Sequence, residues 1–74
     1  MTDREIRFYN MVALFFYLGL KEKQMDLMLC RFFLNMTYRD IARKNKTTTQ
    51  ACQSRCDKYM KHMLARKDLL HLLK

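Results

Sequence analysis

Proline is absent from this 74-residue chain and glycine occurs once, at Gly19. These residues break helices and set the tight turns of β-hairpins, so their scarcity leaves helices as what the sequence can build. Acids are few, seven against fifteen Lys and Arg. No paired carboxylates, His-Asp arrangement or glycine-rich loop can be picked out, which argues against an enzyme and leaves no cofactor to expect. Cysteine is odd in number, at Cys30, Cys52 and Cys56, so no disulfide framework is expected and a reducing, cytoplasmic setting fits. Long apolar runs are missing too. The stretch "MVALFFYLGL" falls short of the about 20 residues that span a bilayer. Its upstream "MTDREIR" mixes acids with bases and no small-residue cleavage site follows, unlike a signal peptide.

What is present is an apolar half and a basic half. Half of the residues are apolar and the formal charge is +8. The charge sums to 0 over residues 1–19, +1 over 20–36, +2 over 37–45, +3 over 46–63 and +2 over 64–74. A basic half joined to a neutral, greasy one points to a nucleic-acid-facing surface attached to a packing or oligomerising surface. A chain of this length is one domain, residues 1–74, and folding at this size buries only about 60% of its surface.

The pattern predicts an all-α bundle of four to five helices. A first helix, capped by Asp3 or Thr2, runs to about Leu18 and stops at Gly19. Its apolar residues from Ile6 to Leu18 cover nearly the whole circumference, so it wants burial on two sides. A second helix over about 21–34 carries Met25, Met28, Leu29, Phe32 and Phe33 on one face and ends at Asn35 in a left-handed conformation. Thr37 opens a third, short helix with Ile41 and Ala42 inward and Arg39, Arg43 and Lys44 outward. Thr48 caps a fourth, in which Ala51, Cys52, Cys56, Tyr59, Met60 and Met63 repeat at helical spacing. Thr49, Gln50, Gln53, Ser54, Asp57, Lys58 and Lys61 fall on its other face. The tail, residues 65–74, extends this helix or forms a fifth through Leu69, Leu70, Leu72 and Leu73.

A packing helix followed by two helices and a tight polar turn is the frame of a helix-turn-helix. Residues 20–64, "LKEKQMDLMLCRFFLNMTYRDIARKNKTTTQACQSRCDKYMKHML", resemble the C-terminal promoter-reading domain of bacterial sigma factors and, more loosely, LuxR/GerE-type DNA-binding domains. Leu20, Glu22 and Gln24 match that family's helix start and Leu27 to Phe32 its aliphatic run. Thr37 and Tyr38 match its cap and aromatic, Ile41 and Ala42 its core pair, Thr48 the recognition-helix cap, and Ser54 and Arg55 a pair frequent in the sigma-like branch. The chain departs where Lys21 replaces a usual Pro, Asn45 a core Leu and Lys46 the Gly of the turn. Asn is the non-glycine residue best suited to a left-handed conformation, so Asn45 is expected to make the turn one residue early.

The resemblance implies that the start of the fourth helix meets base edges through Thr49, Gln50, Gln53 and Ser54. Gln pairs bidentately with adenine and Thr offers a methyl to thymine. Arg39, Arg43, Lys46, Arg55, Lys58 and Lys61 would neutralise phosphates. A zinc site from Cys52, Cys56, His62 and Cys30 is set aside, because both helix cysteines fall on the apolar face, where thiols fill a core. A Cys-His nucleophilic pair fails for want of a neighbouring base or oxyanion donor. His62 and His71 read as surface or core-edge residues.

The leading expectation is a small transcriptional regulator that binds double-stranded DNA, of the kind bacteria, plasmids and phages encode. The rival is a protein-interaction module that keeps the fold but binds RNA polymerase, a sigma factor or another regulator. A membrane-surface peptide is disfavoured, since the basic residues do not share a helix with the apolar run. The N-terminal helix is expected to make a homodimer. Phe8, Val12, Phe15 and Phe16 would close the bundle, and Tyr9, Ala13, Leu14 and Tyr17 would meet a second copy. Two recognition helices would then suit half-sites about 34–36 Å apart.

Overall fold

The computed structural model describes residues 1–73, with side chains through His71. Among the described residues all regular structure is helical: α1 Asp3–Tyr17, α2 Glu22–Phe32, α3 Tyr38–Lys44, α4 Thr49–Ala65 and a terminal 3-10 helix, Lys67–Leu73.

Three helices begin on a threonine whose hydroxyl takes up an otherwise unmatched amide. Thr2, rather than Asp3, caps α1, its Oγ1 accepting from the Glu5 N–H at 3.2 Å. Thr37 accepts from the Asp40 N–H and Thr48 from the Ala51 N–H, both at 3.1 Å. At α2 the cap is Lys21, whose ammonium has no acceptor to offer. The start is held from the other side, by Gln24 Oε1 accepting from the Lys21 N–H at 2.8 Å.

Helix ends are set by three residues at positive φ, Gly19 (80°), Asn35 (57°) and Lys46 (54°). At α1 the Gly19 N–H donates to Phe16 O and the Leu20 N–H to Phe15 O, the paired bonds of a Schellman stop. At α3 the same pair runs from Lys46 to Arg43 O and from Thr47 to Ala42 O. Asn45 is therefore still near-helical, with φ −95°, and the left-handed residue is Lys46, contrary to expectation. The closure from Thr47 to Ala42 fixes where the chain must turn.

The fully buried side chains are Leu14, Phe15, Met28, Cys30, Ile41, Cys52 and Cys56. On α2 the buried residues are Leu27, Met28 and Cys30, with Met25, Leu29, Phe32 and Phe33 only half-buried. The core-facing stripe is rotated from the expected one because α2 sits between α1 on one side and α3 and α4 on the other. α3 packs along α4, and residues 45–48 join them.

The tail does not continue α4. The Arg66 guanidinium grips the Asp68 carboxylate at 3.2 and 3.1 Å across the break, and the 3-10 helix turns back onto α1, its largest partner, and onto the end of α4. Leu69 and Leu70 are half-buried there; the side chains of Leu72 and Leu73 lie outside the described residues. This docking decides which side of α1 is inside. Met11, Leu14, Phe15 and Leu18 form the buried stripe, while Phe16 is 69% exposed. Leu14, expected to face a second copy, is fully buried in its own chain, and Phe16, expected to close the bundle, faces solvent.

Candidate nucleic-acid interface

Helix α4 presents two chemically different faces. Cys52, Cys56 and Met63 are buried against the rest of the bundle, with Ala51, Tyr59 and Met60 beside them half-buried. Burial, with Cys52 close by, pushes the Cys56 thiol up to about 11. It is therefore a neutral core side chain, the role the helix periodicity assigned to it. Gln50, Ser54, Asp57, Lys58 and Lys61 lie on the opposite face and are exposed; Gln53 is exposed at its edge, and Thr49, on the side of Cys52 and Cys56, is exposed because it opens the first turn.

The N-terminal turn of α4 is the least compensated helix start in the molecule. α1, α2 and α3 each carry a carboxylate in the first turn, and α4 carries none. Thr48 satisfies the Ala51 amide and leaves the preceding amides of Thr49 and Gln50 open. The positive end of the helix dipole thus stands uncovered beside the four expected base-reading side chains.

Six basic residues surround that face. Arg39 and Arg43 lie on α3, Lys46 in the turn, and Arg55, Lys58 and Lys61 on α4; all six are exposed. Among the described residues none of them forms an ion pair. Arg55 differs from the others in placement. It lines an open groove of about 880 Å³ whose floor is α2, through Met25, Asp26 and Leu29, and whose walls include Phe8, Val12 and Tyr59.

Two residues outside the expected set hold the platform. Arg31 is half-buried at the end of α2, its Nη1 donating to Met36 O at 3.0 Å and its guanidinium lying 4.6 Å from the Tyr38 ring centre. It pins the loop before α3 and the first residue of α3 together. Lys44 Nζ donates to Cys30 Sγ at 3.4 Å and lies 3.6 Å from Asp26 Oδ2, tying the end of α3 to α2. These contacts raise the Lys44 ammonium above its ordinary range, the Cys30 bond contributing most. Neither link shows in helical periodicity, which reads faces and not contacts between helices. At the far end His62 Nε2 lies 3.2 Å from Leu18 O and joins α4 to the α1 stop.

Of the expected dimer residues, Tyr9 and Tyr17 are exposed and Ala13 is half-buried, and Leu14 is withdrawn into the core. Among the described residues no helix is long and apolar enough to cross a membrane. No protein-family model matches the chain, and no curated protein or solved structure matches it either.

Proposed function

We propose that the protein is a non-enzymatic DNA-binding transcriptional regulator in which α3 and α4 act as a helix-turn-helix. The observation that carries this reading is the exposed polar face of α4, whose first turn has no carboxylate, together with six exposed basic side chains on α3, the turn and α4 that form no ion pair among the described residues. Thr49, Gln50, Gln53 and Ser54 would read base edges, while Arg39, Arg43, Lys46, Lys58 and Lys61 would set affinity and register on the phosphates. Arg55 would contribute least of the six, because it borders the α2 groove.

Fluorescence anisotropy with random and selected duplexes over a salt series tests the proposal. Binding should weaken linearly in log salt, with a slope of about −0.9 per phosphate neutralised. Lys58→Ala should weaken all sequences alike and flatten the slope by about one unit. Gln50→Ala combined with Gln53→Ala should relax sequence preference with the slope unchanged. Absence of salt-dependent binding would overturn the reading and transfer the surface to a protein partner such as polymerase or another regulator.

A further inference from the structure

The outward side of α1 has no cover in the monomer. Ile6, Tyr9, Ala13 and Phe16 follow one another by three, four and three residues, which keeps them on one helix face, opposite Met11, Leu14, Phe15 and Leu18. Ile6 is 44% exposed, Tyr9 57%, Phe16 69% and the adjoining Tyr17 61%. From these fractions the four leave roughly 500 Å² of side chain in water, the upper end of what a monomer ordinarily exposes as one patch.

We infer that this face pairs with the same face of a second copy, with the two α1 helices antiparallel. Charge selects both the occupant and the direction. No charged residue occurs from Phe8 through Leu20. At the start of α1 Asp3 and Glu5 flank this face, whereas Arg4 and Arg7 fall by helical spacing on the side of Met11 and Leu14, Arg4 lying over the Phe33 ring; the exposed ammonium groups of Lys21 and Lys23, with Glu22 between them, follow the helix end. Antiparallel pairing sets the acids of each copy beside the lysines of the other and opposes the two helix dipoles. Parallel pairing would put acid on acid and lysine on lysine. Ala13, the smallest residue of the stripe, falls near the two-fold axis and lets the backbones approach, so that Tyr9 of each copy packs on the partner's Phe16. The pairing is isologous, as a closed dimer requires.

Two such faces bury about 1,000 Å² in total, below the about 1,600 Å² of a standard interface and in the size range of weak, transient contacts. The inference stands on α1 and the lysines that follow it and does not depend on DNA binding.

Sedimentation equilibrium of the full chain up to about 200 µM, a range chosen for an interface of this size, should show the mass rising from one chain towards two. Phe16→Glu should raise the dissociation constant at least tenfold, with the melting point measured in dilute solution unchanged because Phe16 is already in water. Glu5→Lys should weaken the dimer, and Glu5→Lys with Lys21→Glu should restore it. A single-chain mass throughout the range overturns the proposal. A dimer indifferent to Phe16→Glu places the contact elsewhere and also overturns it, and failure of the double charge swap to restore pairing overturns the antiparallel arrangement.

Discussion

Lys46 occupies the left-handed region with a side chain poorly suited to it. An L-residue there meets its own carbonyl oxygen at a cost of about 1–2 kcal/mol, a penalty that glycine escapes. The Schellman bond from Thr47 to Ala42 holds it in place. Lys46→Gly should therefore stabilise the fold by about 0.5–1 kcal/mol, the relief of strain exceeding the extra chain entropy of glycine. Urea unfolding monitored by circular dichroism measures this, and a lower midpoint for the glycine variant would show that the lysine is not strained. The same substitution should reduce DNA affinity, so the two readouts move in opposite directions. A lysine at a position its backbone disfavours, beside an uncovered helix start, fits a charge that serves the proposed contact. Gly19 is a simpler case, since a Cβ there would meet nothing within 4 Å and only its φ of 80° calls for glycine.

At the scale of elements, α1 illustrates how two-sided hydrophobicity is resolved. One side is covered by α2 and by the 3-10 helix, so the tail is part of the fold. Leu70 is half-buried in that contact, and full burial of a leucine is worth about 1.5–3 kcal/mol. Leu70→Ala should thus cost about 1 kcal/mol, lowering the melting point by about 4–8 °C in a domain of this size. A variant that melts with the wild type would mean that the tail does not dock. The helices α2, α3 and α4 were legible in the sequence because Thr37, Thr48, Asn35 and the Ile41-Ala42 pair each have one position that suits them. The division of α1 was not. Its apolar residues run almost all round, so periodicity contains no minimum to mark the solvent side, and packing against α2 and against the 3-10 helix, which begins at Lys67, fifty residues beyond the end of α1 at Tyr17, decides it. The turn failed for a related reason: Asn45 and Lys46 are both polar and exposed, and residue preference favoured the one that helix-closing geometry rejects. The exposed polar face of α4 was legible because alternation with a buried face is a property of one helix alone.

For the molecule as a whole, the excess of positive charge acts on folding and on the proposed DNA binding with opposite sign. The net charge is +8, and the two ion pairs among the described residues, Lys44 with Asp26 and Arg66 with Asp68, are both exposed. Exposed pairs contribute about 0–1 kcal/mol each. They do not offset the repulsion among the remaining cations, which favours the expanded chain. Raising NaCl from about 20 to 150 mM shortens the screening length from roughly 20 Å to about 8 Å and should raise the melting point of the free protein. Over the same range duplex DNA should bind less tightly, because each counterion released on contact gains less entropy in a saltier solution. Calorimetry with and without DNA separates the two effects: the shift caused by DNA should be largest at low salt, where the free protein is weakest, and should shrink as the free protein gains stability. Replacing Lys58 and Lys61 together by Ala, which lowers the net charge by two, should make both salt responses shallower. A melting point of the free protein that falls with salt would show that its cations are already compensated within the fold, and the unpaired basic surface assigned to DNA would lose its physical basis.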